Sequence, residues 1–172
     1  MLNGFFDELD QEDIYLKKVI DWKYVSCLPG LPKNFIIKFS DYVDWKWISK
    51  SQKLSLDFIR KFENKVNWNR ISQYQKLSEK FIREFSDKVS WFYISSYQKL
   101  SEKFIIEFKD KVNWEEISAN QNLSKDFVLK FENKIDWELL EEYQNITKKD
   151  IEELKKNKVE KNKLNKFQML KF

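Results

Sequence analysis

Residues Val66–Lys88 read VNWNRISQYQKLSEKFIREFSDK, and residues Val89–Lys111 read VSWFYISSYQKLSEKFIIEFKDK. They are adjoining copies of one 23-residue unit. Further copies start at Ile20, Val43, Val112 and Ile135, so the unit runs six times without a gap. A fixed period of this length marks a repeat array, in which each unit buries its apolar face only against its neighbours.

With the unit numbered 1 to 23, position 3 is always Trp: Trp22, Trp45, Trp68, Trp91, Trp114 and Trp137. Position 6 is Val25, Ile48, Ile71, Ile94, Ile117 and Leu140. Position 10 is Gln52, Gln75, Gln98, Gln121 and Gln144, with Pro29 in the first copy. The spacing 3, 6, 10 is one stripe of a short helix. Position 2 is Asp, Asn or Ser throughout, the residue types that cap a helix N-terminus. A second cap stands at position 13 (Ser55, Ser78, Ser101, Ser124, Thr147; Pro32 in the first copy), with apolar residues at 16, 17 and 20, as in Phe81, Ile82 and Phe85. Leu77 at position 12 is placed to staple that turn. The second helix is expected to end near the Asn/Asp-Lys pair at positions 22 and 23, where Lys suits the negative end of the helix dipole.

The sequence therefore predicts an all-α fold: an α-solenoid of six two-helix repeats with helical caps at both ends. The expected organisation is an N-terminal cap over 1–19 (Phe5, Phe6, Asp10, Ile14 and Leu16), repeats 20–42, 43–65, 66–88, 89–111, 112–134 and 135–157, and a basic capping helix over 158–172 carrying Leu164, Phe167 and Leu170. The sixth copy drifts, with Asp150 and Leu154 where the others have Phe, as terminal repeats do when one face meets water. Two Gly and two Pro in 172 residues leave little turn chemistry for a β-rich fold.

The Trp column and the Gln column are expected to be structural. The Gln amides satisfy backbone groups in each layer rather than forming a ligand ladder, and the indoles pack in the core rather than stacking on bases. Small Ser at position 7 (Ser26, Ser49, Ser72, Ser95, Ser118) is expected to allow close helix approach and to bond back to the preceding turn.

Composition narrows the chemistry. The chain has no His and one Cys, which removes His-based nucleophile pairs, His metal ligands and a thiolate zinc site. No Gly-rich phosphate loop occurs, and the acidic residues recur with the layers instead of converging. No catalytic residue, metal site or cofactor is expected, and no enzymatic activity. Single Cys27, the absence of a visible signal peptide and the absence of a long apolar run predict a cytoplasmic protein without a membrane span. Net charge is +1, +3, +2, +1, −1 and −3 over the six repeats, with −3 in residues 1–19 and +4 in 158–172. A uniform phosphate-binding track would be basic throughout; this pattern suits a protein partner with a complementary surface.

Outward positions that vary between copies are the candidate contact residues. Positions 4 and 5 of the first helix and 18 of the second contribute Trp47, Arg60, Arg70, Arg83, Phe92 and Tyr93, the residue types enriched at binding hot spots. The alternative expectation is RNA or single-stranded nucleic acid, with the three arginines on phosphates and the three aromatics on bases. Monomer and dimer are both compatible with the sequence.

The string W-x-x-I-S-x-x-Q-K-L-S-E-K-F-I-x-E-F-x-D-K-V, fullest in Trp68–Val89 and Trp91–Val112, resembles short helical repeats of AT-rich phages and giant DNA viruses. Abundant Lys, Asn, Ile and Phe fit an AT-rich genome. The layers are also similar to leucine-rich-variant and other small α-solenoids. The resemblance implies protein or nucleic-acid binding. A phage origin implies a binder of a host factor, such as an inhibitor of a CRISPR or other defence nuclease, acting in the host cytoplasm.

Overall fold

A computed structural model describes residues 18–144, 146–153, 155–157 and 159. The N-terminal cap residues up to 17, Leu154 and nearly all of the C-terminal capping segment lie outside the described residues. Among the described residues every regular element is helical and there is no strand, the all-α, solenoid-like repeat that the period predicts.

The chain divides into two compact units, Met1–Ser90 and Trp91–Phe172. In the first, the layers are α1 (Trp22–Cys27) with α2 (Lys33–Lys38), α3 (Trp45–Ser51) with α4 (Leu56–Lys61), and α5 (Trp68–Tyr74) with α6 (Glu79–Glu84). In the second they are α7 (Trp91–Tyr97) with α8 (Glu102–Glu107), α9 (Trp114–Asn120) with α10 (Lys125–Lys130), and α11 (Trp137–Gln144) followed by helical residues 148–153. First helices of adjoining layers pack side by side: α1 on α3 and α3 on α5 in the first unit, α7 on α9 and α9 on α11 in the second.

Helices of six to eight residues are too short to persist alone, so each is held by its caps and its layer. Asp44 Oδ1 accepts the backbone N–H groups of Lys46 and Trp47, and Asn67 Oδ1 accepts that of Arg70. At the second helix, Ser55, Ser78, Ser101 and Ser124 each accept the N–H three residues on. Pro32 makes no such bond. In the sixth repeat Thr147 and Asp150 cap reciprocally: the Asp150 N–H donates to Thr147 Oγ1, and the Thr147 N–H donates to Asp150 Oδ2. The departure from Phe at Asp150 thus exchanges a core ring for a cap.

The second helix stops earlier than the sequence suggests. Phe at position 20 is its C-cap, as in Phe62 and Phe85. The Phe62 carbonyl accepts the N–H groups of both Lys65 and Val66, closing a tight turn. Lys at position 23 therefore stands beyond the helix and pairs across layers instead: Lys65 with Asp41, Lys88 with Glu63, Lys134 with Asp110.

The core of each layer is the Trp column on paired Phe rings. Trp68 lies 6.3 Å from Phe81 and 4.9 Å from Phe85, and Trp91 lies 6.2 Å from Phe104 and 4.8 Å from Phe108. Such ring pairs add to the area they bury. The indole N–H is satisfied within the fold, donated by Trp45 to Ser40 O at 2.8 Å and by Trp68 to Glu63 O at 3.0 Å. Ile48, Ile71, Ile94 and Ile117 at position 6 are fully buried beside them.

Candidate protein-binding surface

The surface is best delimited by what the interior already uses. Gln75 is buried; its Oε1 accepts the Leu54 N–H at 3.0 Å, and its Nε2 donates to Ser49 O at 2.9 Å and Gln52 O at 2.8 Å. Gln121 repeats the arrangement on Leu100, Ser95 and Gln98, and Gln52 on Leu31, Ser26 and Leu28. Each amide thus sews its layer to the turn of the layer before it. Ser49 Oγ donates to Trp45 O at 2.6 Å and accepts the Asn67 N–H of the next layer at 2.9 Å; Ser95 and Ser118 accept likewise from Asn113 and Asp136. The back-bond was legible in the sequence, whereas the second, cross-layer bond was not. These bonds use the donors of both columns, and Gln52, Gln75, Gln98, Gln121 and the Ser side chains are buried, so neither column is open to a ligand.

The six residues singled out by sequence fall on five helices. In the first unit, Trp47 and Arg70 sit on first helices α3 and α5 and are half-buried, not fully outward. The Lys50 ammonium lies 5.2 Å from the Trp47 ring and 5.4 Å from the Tyr74 ring of the next layer. Arg70 donates to Gln73 Oε1 and lies over the Tyr74 ring at 5.8 Å. Arg60 and Arg83 belong to second helices α4 and α6. Arg60 donates from Nε and Nη2 to Glu84 and from Nη1 to Asp57, with its guanidinium over the Phe81 ring. The hydrogen bond to Glu84 raises the Arg60 pKa and holds the Glu84 carboxyl below its ordinary range. Arg83 lies 3.8 Å from Glu79. Trp47 and Arg70 are thus joined through Tyr74, while Arg60 and Arg83 face carboxylates.

In the second unit, Phe92 and Tyr93 are neighbours on α7, with ring centroids 5.3 Å apart, and Tyr97 stands 6.1 Å from Tyr93. Phe92 is exposed and Tyr93 half-buried. Position 5 is partly covered because its side chain reaches the neighbouring layer: Ser96 Oγ at position 8 donates to Glu116 Oε2 at position 5 of the next layer, at 2.6 Å.

The tyrosines at position 9, which the sequence places on a flank suited to packing between layers, are instead open to solvent. Tyr74, Tyr97 and Tyr143 at position 9 are among the most exposed aromatics, at 45%, 58% and 60%. Lys50, Lys53, Tyr74 and Lys76 line a cleft of about 490 Å³ where the turns of two layers meet. Charge counted per helix, instead of per repeat, would have found this region: in 44–55 and 67–78 the sole carboxylate is the capping Asp44. In the second unit two of the three first helices are acidic, with Glu115 and Glu116 on α9 and Glu138, Glu141 and Glu142 on α11. The Tyr143 hydroxyl bonds Glu142, which raises its pKa.

Among the described residues no group of three or more carboxylates or thiols could hold a metal, and no helix is long and apolar enough to cross a membrane. No protein-family model, curated protein or solved structure matches the chain.

Proposed function

We propose that this chain is a non-enzymatic, protein-binding repeat scaffold, a viral or phage inhibitor that occludes a host defence protein such as a CRISPR effector in the host cytoplasm. The observation that carries the reading is the division of labour within each layer. The recurring Trp, Gln and Ser residues use their polar groups internally, as at Gln75 and Ser49. The outward positions of the first helices vary from copy to copy and hold exposed aromatics. Aromatic residues on a rigid scaffold are the usual anchors of protein interfaces. The defence-inhibitor part of the reading rests on the resemblance to viral and phage repeats.

The anchor is assigned to Trp47 with Arg70 in the first unit and Phe92 with Tyr93 in the second. The test is affinity capture from host lysate, with and without nuclease, using the wild-type chain and a Trp47→Ala/Tyr93→Ala variant. A protein retained after nuclease and lost with the variant supports the reading. A combined change in affinity below about 1 kcal/mol removes the site assignment.

Nucleic-acid binding is the second reading, favoured by the carboxylate-poor first helices that carry Trp47, Lys50, Arg70 and Tyr74. Against it, Arg60 already gives its guanidinium to Glu84 and Asp57. RNA retained in the capture, with affinity that falls steeply as salt rises, would transfer the assignment to this reading.

A further inference from the structure

The lysines of this protein differ in their partners. Several of those in the second helices and their following turns are paired across layers, as in Lys88 with Glu63 at 3.3 Å and Lys125 with Asp150 at 2.6 Å. Those of the first-helix side in the first unit are not. Lys46, Lys53 and Lys76 are exposed and have no carboxylate partner among the described residues, and Lys50 rests between the rings of Trp47 and Tyr74. With Arg70 they leave α3, α5 and their turns strongly cationic around the cleft that Lys50, Lys53, Tyr74 and Lys76 line. Over α9 and α11 the first-helix side of the second unit has the opposite character. Glu115, Glu138 and Glu142 are exposed, no cation pairs with them among the described residues, and Tyr97 on α7 and Tyr143 on α11 are exposed, Tyr143 bonding Glu142.

Both sides are built from the same short helices on the same 23-residue period, so charges at matching positions recur at matching spacing. Lys46 on α3 and Glu115 and Glu138 on α9 and α11 all occupy position 4. Exposed aromatics on each side supply the apolar contact that charge alone lacks. We propose that the cationic, aromatic first-helix side of the first unit is a docking surface for a second copy of this chain, which presents the acidic first-helix side of its second unit. Such complementarity sets partner choice and register and quickens encounter. The proposal goes beyond the protein-binding reading and does not depend on the target's identity. Because Trp47 and Arg70 lie on the same side, self-association covers the anchor and competes with the target.

The test is sedimentation velocity on the full chain over a range of concentrations, at low and high salt. The expected result is a mass that rises above the 21.2 kDa of one chain with concentration and falls back as salt is added. Two variants, Lys46→Glu/Lys53→Glu and Glu115→Lys/Glu138→Lys, alter exposed residues without ion-pair partners, and circular dichroism checks that both remain folded. Each alone is expected to weaken association by at least about tenfold. Mixed in equal amounts they are expected to associate again, since one then carries acidic and the other basic residues on both sides. A mass that stays at 21.2 kDa at every concentration overturns the proposal. So does association insensitive to the lysine pair but lost with the glutamate pair, which would give the acidic side to another occupant, such as the Lys-rich residues 158–172.

Discussion

Gln75 offers the most direct test of how the layers are held together. Gln75→Met keeps the length and most of the volume of the side chain and removes its polar end. Three buried or half-buried backbone groups then lose a partner: the Leu54 N–H, Ser49 O and Gln52 O. An orphaned buried group costs about 1–3 kcal/mol. The N–H loses its only acceptor, while each carbonyl keeps a second lone pair, so the sum is set at about 3–5 kcal/mol. That is a large fraction of a total stability of about 5–15 kcal/mol. Urea unfolding followed by circular dichroism reads it directly.

Gln75→Glu sharpens the argument. The carboxylate can still accept from Leu54 but meets two carbonyls, so burial and carbonyl repulsion raise its folded pKa above the ordinary value of about 4.3. A raised folded pKa gives stability that is fully present below the unfolded pKa and lost as pH rises through the folded pKa. Relative to wild type, the Glu variant should weaken from about pH 4 upward. If Gln75→Met lies within about 1 kcal/mol of wild type, the amide is not the fastener and the reasoning fails.

Other expectations follow from the same contacts. Ser49→Ala leaves the Asn67 N–H without its acceptor and should cost about 1–2 kcal/mol in the same urea assay, despite the small change in volume. Phe81→Ala empties a fully buried site against Trp68 and Phe85, and should cost about 3–5 kcal/mol and reduce the near-ultraviolet circular dichroism of Trp68. Asp150 is held well below the usual carboxylate range, first by its hydrogen bond from Lys125 and then by Thr147. A depressed folded pKa gives stability that is present above the unfolded value and lost as pH falls through the folded one. Hydrogen exchange around residues 147–153 should therefore quicken on acidification below about pH 4 in wild type and change less in Asp150→Asn. An equal response in both would show that Asp150 does not carry the effect.

The sequence alone determined the period, the two-helix layer, the capping positions and the identity of the core. These properties are local: a cap bonds two or three residues away, as Ser78 does to Phe81, and an apolar stripe is written in the spacing of Trp, Ile and Phe. It also marked the Gln column as internal, because an amide beside a Trp in five consecutive layers has no reason to recur unless the layer needs it. The tertiary structure decided whom these groups serve. The bonds of Gln75 and Ser49 span 18 to 26 residues, and Arg60 finds Glu84 24 residues on. A repeat carries every such pair at nearly the same sequence offset, so spacing cannot say which is made. The same holds for the surface. Repeat-by-repeat charge concealed that Lys65, Lys88, Lys125 and Lys134 are neutralised across layers while the cations on α3 and α5 are not. That distinction depends on which side chains the stacking brings within about 4 Å of each other, a fact of packing.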